Sequence, residues 1–122
     1  MSEHHASQLL PPDPESIVRV RRVVDELPLV PPRAGAVKLV VSELVANSIE
    51  HGRLDPFEQI EVRAQVDGRG ALRMEVRDPG PGPSADAIDG IGWRVIERVA
   101  DRWGFDRRDG LARVWFELDP VT

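Results

Sequence analysis

Two polar side chains stand one helical turn apart in a segment that is otherwise mostly apolar. Residues 37–52, VKLVVSELVANSIEHG, contain Glu43 and Asn47, and Glu50 and His51 continue the same polar stripe. At about 100° per residue, this spacing places the four side chains on one side of a helix. Apolar residues surround the rest of that helix, so it should be largely buried, where an unpaired carboxylate is costly. A carboxylate base beside a metal-ligating amide is one use of such a pair, and a polar helix edge that meets water is the other.

A further carboxylate stands at the end of an apolar strand pattern. The alternation over residues 72–78 places Asp78 on the same side as the apolar residues of that strand. A carboxylate there should accept hydrogen bonds from a specific donor, and the exocyclic amine of a purine is suitable. The alternative is an Asx turn that caps the strand end, which is common for Asp before Pro-Gly. Gly80 and Gly82 follow directly and permit close backbone approach to a ligand.

The third candidate element is a pair of glycines, Gly90 and Gly92, at the predicted start of a helix. Helix N-termini offer free N–H groups and the positive end of the helix dipole, and glycines let phosphate oxygens reach them. A Gly-x-Gly pattern by itself is more often a simple turn. Here it completes an ordered set: a helix with a base and an amide, an inward Asp with a glycine loop, and a glycine-rich helix start.

Periodicity predicts the elements that position these residues. The expected fold is an α+β two-layer sandwich, with a mainly antiparallel, mixed sheet covered on one face by helices. Residues 1–12 are expected to be a flexible lead-in, and residues 13–122 a single domain, with the prolines of 28–32 connecting the first two helices. The predicted helices are 13–27, 37–52 and 92–102, and the predicted strands are Gln8–Leu10 (short), 60–66, 72–78, 103–106 (short) and 114–118.

Composition narrows the class of protein. A chain of 122 residues with 41% hydrophobic residues suits one globular domain. The formal net charge of −5 argues against nucleic acid as the main partner. The sequence shows no apolar run long enough to span a membrane and no signal-peptide pattern, and the absence of cysteine excludes disulfides; a cytoplasmic protein is expected. His4 and His5 lack a third ligand nearby and are expected to belong to the lead-in.

The ordered set resembles the GHKL (Bergerat-fold) superfamily of ATPases, the histidine-kinase-like ATPase domains. Within it, the chain is most similar to the single-domain anti-sigma-factor serine/threonine kinases. The motifs that carry the resemblance are SELVANSIEHG (42–52), DPGPG (78–82), GIG (90–92) with VADRWG (99–104), and VWFEL (114–118). The resemblance implies a Bergerat sandwich that binds ATP between helices and sheet, under a lid.

The resemblance also implies a role for each motif residue. Asn47 would ligate Mg²⁺, and Glu43 would be catalytic, orienting or deprotonating the attacking hydroxyl. Asp78 would bind the adenine amino group. Arg21, on the first helix, would face a protein partner. The other ATP-binding residues that the resemblance implies are Gly80, Gly82, Gly90, Gly92, His51 and Gly52.

The chain departs from the family pattern at three places. The lid segment, residues 83–89 (PSADAID), is short and contains Asp86 and Asp89 but no Lys or Arg. A like charge about 8 Å from a γ-phosphate costs on the order of 2 kcal/mol at an effective dielectric near 20. Trp93 replaces a leucine, either as core packing or as a ring near the nucleotide. Ala112 stands in a segment where a hydroxyl residue is common, which predicts the loss of one nucleotide contact.

The resulting prediction is an ATP- and Mg²⁺-binding anti-sigma kinase. It would phosphorylate a serine of a small anti-anti-sigma (STAS-type) antagonist and thereby control a sigma factor and transcription. The resemblance suggests a homodimer, and neither nucleic acid nor membrane is an expected partner. One alternative is a degenerate GHKL module that sequesters a protein partner with weak or no use of ATP. The other is a detached histidine-kinase catalytic domain.

Overall fold

The computed structural model describes residues 3–83 and 91–121. In this part of the chain, five strands and three helices follow one another in the order strand, two helices, two strands, helix, two strands. The elements are β1 (His4–Leu10), α1 (Glu15–Asp25), α2 (Pro31–His51), β2 (Ile60–Val66), β3 (Leu72–Asp78), α3 (Ile91–Val99), β4 (Arg102–Arg108) and β5 (Leu111–Leu118).

The strands form one sheet in the order β1-β2-β3-β5-β4. All four pairings of the described strands are antiparallel, and Val76 of β3 lies between Val62 of β2 and Val114 of β5. The helices pack against one face of this sheet, so the predicted two-layer α+β sandwich is confirmed. β3 and β5 are interior strands of the sheet. The end of β3 and the start of β5 lie beside the C-terminal half of α2.

Helix α2 is the centre of the core. Its valines at 37, 40, 41 and 45 are fully buried, and Leu44 is nearly so. They pack against the inward row of β2 and β3, which includes Val62 and Met74. Burying one such side chain contributes about 1.5–3 kcal/mol. The polar residues of α2 are therefore held in place by a helix that packing fixes on most sides.

Helix α2 begins earlier than the sequence pattern predicted. It starts at Pro31 instead of Val37, so two of the prolines assigned to the connection form its first turn. Proline suits that turn because its φ is already helical and its missing N–H has no helical partner there. In α1 the expected Asp13 start is nearly right, because the Asp13 carboxylate accepts the N–H of Glu15, the first helical residue.

The two edge strands are longer than predicted. β1 spans His4–Leu10 instead of Gln8–Leu10, and pairs with β2 along its whole length. Helix α3 ends at Val99, not at Arg102, and β4 then runs Arg102–Arg108 instead of 103–106. An edge strand is stabilised by backbone pairing with one neighbour. Because many of its residues are polar, its sequence shows little apolar–polar alternation from which its length could be predicted.

The other face of the sheet carries charged side chains that pair with one another. Glu75 of β3 is nearly buried and accepts hydrogen bonds from Arg73, Arg77 and Arg113. Burial opposes ionisation of Glu75, but the hydrogen bonds from Arg77 and Arg73 outweigh it and lower the pKa of this carboxyl. A groove along β1, β2 and β3 on this face is lined largely by charged side chains that are already paired, such as Arg63 with Glu61 and Arg77 with Glu75. Separately, no helix within residues 3–83 and 91–121 has the length and hydropathy of a membrane span.

Candidate functional site

A small cleft, with about 30 Å³ of space for water-sized molecules, opens to solvent between the C-terminal half of α2, the end of β3, the start of β5 and the start of α3. Five of the predicted site residues line it. These are Asn47, His51, Gly52, Asp78 and Gly82. The apolar part of the wall comes from Leu44, Val76, Trp93, Ala112 and Val114. An apolar cleft with a few polar groups that converge on it is the usual form of a small-molecule site.

Asp78 is the best-fixed polar group of the cleft. It is 7% exposed, and its two carboxylate oxygens have separate donors. The Ser48 hydroxyl donates to Oδ2 at 2.7 Å, and the Gly80 N–H donates to Oδ1 at 2.8 Å. The Asx turn foreseen as an alternative is therefore present, and the same side chain also lines the cleft. An ionised carboxylate has about four acceptor positions, so two occupied positions leave capacity for a ligand donor.

Ser48 was not among the predicted site residues. It is buried on α2, one residue after Asn47, and its hydroxyl has Asp78 as acceptor. A buried hydroxyl needs a partner, so its position on the inward side of a buried helix was the signal that could have identified it.

Gly80 lies in a tightly packed part of the loop that follows Asp78. A Cβ atom added there would overlap the carbonyl oxygen of Gly52 at the end of α2, and would also crowd Asp78 Oδ1. The close approach is thus to another part of the backbone. Arg107 of β4 donates from Nη1 to the Gly80 carbonyl at 2.9 Å. Arg107 thereby holds the loop that follows Asp78.

Asn47 and Glu43 have different surroundings, although both are half-buried on α2. Asn47 lines the cleft, and its Nδ2 is buried without a hydrogen-bond partner among the described residues. A buried unsatisfied donor costs about 1–3 kcal/mol, which favours a ligand or water at this point. Glu50, in contrast, is exposed and does not line the cleft.

Glu43 lies against the first turn of α3. A Cβ atom added to Gly92 would be 2.7 Å from Glu43 Oε2, so a side chain at this position would displace the carboxylate. A negative charge near a helix N-terminus is favourable, and this contact stabilises the position of Glu43 without any ligand. Glu43 is not part of the cleft wall but lies beside the N-terminus of α3.

The remaining predicted positions divide into two groups. Trp93 is fully buried, as expected for core packing, and it also lines the cleft. Arg21 is exposed on α1 and is not part of the cleft wall. Gly90, and the lid segment after Pro83 with Asp86 and Asp89, lie outside the described residues.

The described residues offer no metal site made of protein ligands alone. Within residues 3–83 and 91–121, no group of three or more His, Asp or Glu side chains could hold a metal ion. Asn47 therefore fits only a metal that takes its other ligands from a bound molecule and water. Mg²⁺ bound together with nucleotide phosphates is such a metal.

The profile of one protein family, the histidine kinase-like ATPase domain, matches residues 10–118. The chain belongs to the histidine kinase-like ATPase family. The match runs from the last residue of β1 to the last residue of β5 and so includes the whole cleft. The GHKL-type fold predicted from the motifs is confirmed. No curated protein matches the chain significantly.

Two solved structures share the fold of this histidine kinase-like ATPase domain. One contains the RsbU and RsbW domains of Rv1364c from Mycobacterium tuberculosis: the TM-score is 0.70 at 20% identity, over 96% of this chain and 32% of that one. The other is the histidine kinase domain of a blue-light-activated histidine kinase from Erythrobacter litoralis, with a TM-score of 0.64 at 18% identity, over 88% of this chain and 64% of that one. The chain thus spans about a third of the first structure and just under two thirds of the second.

Proposed function

We propose that this histidine kinase-like ATPase domain binds ATP with Mg²⁺ in the cleft and phosphorylates a serine or threonine of a protein partner. The observation that carries the proposal is the arrangement of Asp78 and Asn47. A buried carboxylate fixed by two donors and an amide whose Nδ2 has no partner among the described residues line the same cleft.

Asp78 favours an adenine ligand because its carboxylate can accept further hydrogen bonds. Its described neighbours supply one O–H and one N–H donor, and a carboxylate can only accept. A ligand that completes its acceptor capacity must therefore present a donor, which the exocyclic amine of adenine does. The apolar side chains of Leu44, Val76 and Val114 supply surface for the ring.

Asn47 would be the protein ligand for Mg²⁺, through its amide oxygen. A Mg²⁺ ion held there would supply the neutralisation of phosphate charge on which phosphoryl transfer depends. Glu43, on α2 beside the first turn of α3, would hold the hydroxyl of the incoming serine or threonine by accepting its hydrogen bond. The chain's own part in the reaction is thus positioning: Asp78 fixes one end of the nucleotide, and Glu43 orients the acceptor at the other.

The proposed protein partners are a STAS-type anti-anti-sigma antagonist and a sigma factor, in the cytoplasm, with the domain acting as a homodimer. The motif resemblance supports this role, and so does the shared fold with a structure that contains an RsbW domain. The exposed Arg21 on α1 is the residue proposed to contact the partner.

The test is transfer of radiolabelled γ-phosphate from Mg·ATP to a purified STAS-type antagonist, followed by acid treatment of the product. We expect an acid-stable phosphoester on the antagonist. Acid-labile label would instead indicate a phosphohistidine and the histidine-kinase alternative. Binding of Mg·ATP without transfer to any antagonist would contradict the kinase proposal while leaving the nucleotide site in place.

A binding module that sequesters a partner without ATP is the second candidate. The observation that favours it is Ala112, which lines the cleft where a hydroxyl residue was expected and offers no polar side-chain contact. Antagonist or sigma-factor binding that is independent of nucleotide, with no heat of Mg·ATP binding, would support this candidate.

A further inference from the structure

The side chain of Trp93 has an unusual position in the cleft. It belongs to the first turn of α3, is 1% exposed and lines the cleft wall. Its indole Nε1 is buried and has no hydrogen-bond acceptor among the described residues. Buried indole N–H groups usually have a partner, because water no longer satisfies them. The N–H of Trp93 therefore lacks an acceptor that the site has to provide.

Two aromatic side chains of β4 hold the indole in its orientation. The ring of Trp103 lies 5.2 Å from that of Trp93 at an interplanar angle of 49°, and Phe105 meets it edge-on at 6.2 Å. Tilted and edge-to-face pairs at these distances are favourable geometries. Because rotation of the indole would break both contacts, the direction of its N–H is set by β4 before any ligand binds.

The cleft has a second donor in the same condition. Nδ2 of Asn47, on α2, is also buried without a partner among the described residues. The residues that line the cleft thus include one strong acceptor, Asp78, and two side chains, on different helices, whose buried donors have no partner among the described residues. A ligand that matches it needs a hydrogen-bond donor at one end and oxygen acceptors elsewhere. A nucleotide has both, in its base amine and in its ribose and phosphate oxygens.

We infer that Trp93 is a ligand-contacting residue, whose indole N–H donates a hydrogen bond to a ribose or phosphate oxygen of the bound nucleotide. The inference rests on the proposed function, because it takes the nucleotide as the ligand. It assigns to Trp93 a contact that a leucine at this position could not make, since leucine has no donor. It also explains why a residue so well packed keeps an unsatisfied polar atom.

The test is Trp93→Phe, which retains an aromatic ring and removes the N–H. The affinity for Mg·ATP, measured by calorimetric titration, should fall about threefold to tenfold, the effect of losing one hydrogen bond. The melting temperature of the nucleotide-free variant should fall, because the smaller ring leaves a cavity beside Trp103 and Phe105. A purely structural role predicts the same loss of stability but an unchanged affinity for Mg·ATP.

Trp103→Phe is the matched control. It makes the same chemical change in a ring that packs on Trp93 but does not line the cleft, so nucleotide affinity should be unchanged. Titrations with adenosine, ADP and ATP locate the acceptor. A loss in Trp93→Phe for all three ligands indicates a ribose oxygen, and a loss for ADP and ATP alone indicates a phosphate oxygen.

Several results would overturn the inference. Unchanged affinity in Trp93→Phe would show that the N–H is satisfied in another way, and increased affinity would show that the indole obstructs the cleft. If the wild-type chain binds no nucleotide, the proposed function fails first. If Trp93→Phe does not fold, the indole N–H resonance of Trp93 in the wild-type protein decides: it should move downfield on addition of Mg·ATP, and an unmoved resonance would contradict the contact.

Discussion

The Asp78→Asn substitution tests the geometry of the cleft most sharply. Asp78 accepts from the Ser48 hydroxyl at 2.7 Å and from the Gly80 N–H at 2.8 Å, and both oxygens are needed. An amide offers one acceptor oxygen and one NH₂ group, so one of these two donors loses its acceptor. The bond that survives changes from a charge-assisted one to a neutral one.

The expected loss of stability follows from these two bonds. Hydrogen bonds to charged groups contribute about 1.5–3 kcal/mol and neutral ones about 1 kcal/mol, and a buried donor left unpaired costs about 1–3 kcal/mol. We therefore expect the free energy of unfolding of the nucleotide-free protein to fall by about 2 kcal/mol, measured by urea denaturation. Mg·ATP affinity, measured by calorimetric titration, should fall at least tenfold, or about 1.4 kcal/mol.

Ser48→Ala provides the control. It removes one donor to Asp78 but keeps the carboxylate, so it should destabilise the protein by about 1 kcal/mol and retain most of the nucleotide affinity. An Asp78→Asn protein as stable as the wild type would refute the arrangement with two donors. A folded Asp78→Asn protein with unchanged Mg·ATP affinity would remove Asp78 from the adenine-binding role.

Three further perturbations separate binding, positioning and stability. Glu43→Ala should leave Mg·ATP binding largely intact and abolish phosphate transfer, whereas Asn47→Ala should weaken Mg·ATP binding itself; titration and radiolabel transfer on both variants distinguish the two roles. Gly80→Ala should lower the free energy of unfolding by about 1–3 kcal/mol, because its Cβ overlaps a carbonyl oxygen at the end of α2. Gly35→Ala, on α2 with open space around the new Cβ, should instead raise it by about 0.5–1 kcal/mol in the same urea titration. Arg107→Met should weaken nucleotide affinity about threefold, since it removes the hydrogen bond that Arg107 donates to the Gly80 carbonyl; an unchanged affinity would show that the loop keeps its form without Arg107.

Sequence periodicity predicted the parts of the site that depend on local geometry. Glu43 and Asn47 could be placed on one side of a helix, and Asp78 at the inward end of a strand, because the periods of helices and strands follow from the backbone. The same reasoning placed Val114 and Phe116 on the last strand, where Phe116 is fully buried. These positions need no knowledge of which elements are neighbours.

The parts that were missed depend on contacts between distant segments. Ser48 reaches Asp78 across 30 residues of sequence, and Arg107 reaches Gly80 across 27. The period of a helix or strand gives the face of a residue but not its partner. Glu43 and Asn47 show what periodicity leaves undetermined. Periodicity places both on one face of the helix, but Asn47 lines the cleft whereas Glu43 lies against α3.

Element boundaries were wrong where context overrides local preference. The prolines at 31 and 32 were predicted to form the connection between the first two helices. They lie instead in the first turn of α2, where a helix accepts proline. The predicted β4 was too short because Arg102 continues the helical sequence pattern of α3. In the structure, the backbone N–H of Asp101 already donates a hydrogen bond to the carbonyl of Glu117 in β5. Pairing with a neighbouring strand decided that boundary.

Calorimetric titration of the wild-type protein with Mg·ATP, and then with Mg·ADP, tests the central claim most directly. The cleft geometry, the short acidic segment 83–89 and Ala112 together predict one weak site per chain. We expect a dissociation constant of tens of micromolar, corresponding to about −6 kcal/mol, with ADP bound nearly as tightly as ATP. Binding should be lost or strongly reduced in Asp78→Asn. The absence of any binding heat at millimolar nucleotide would contradict the proposal that this cleft is an ATP site.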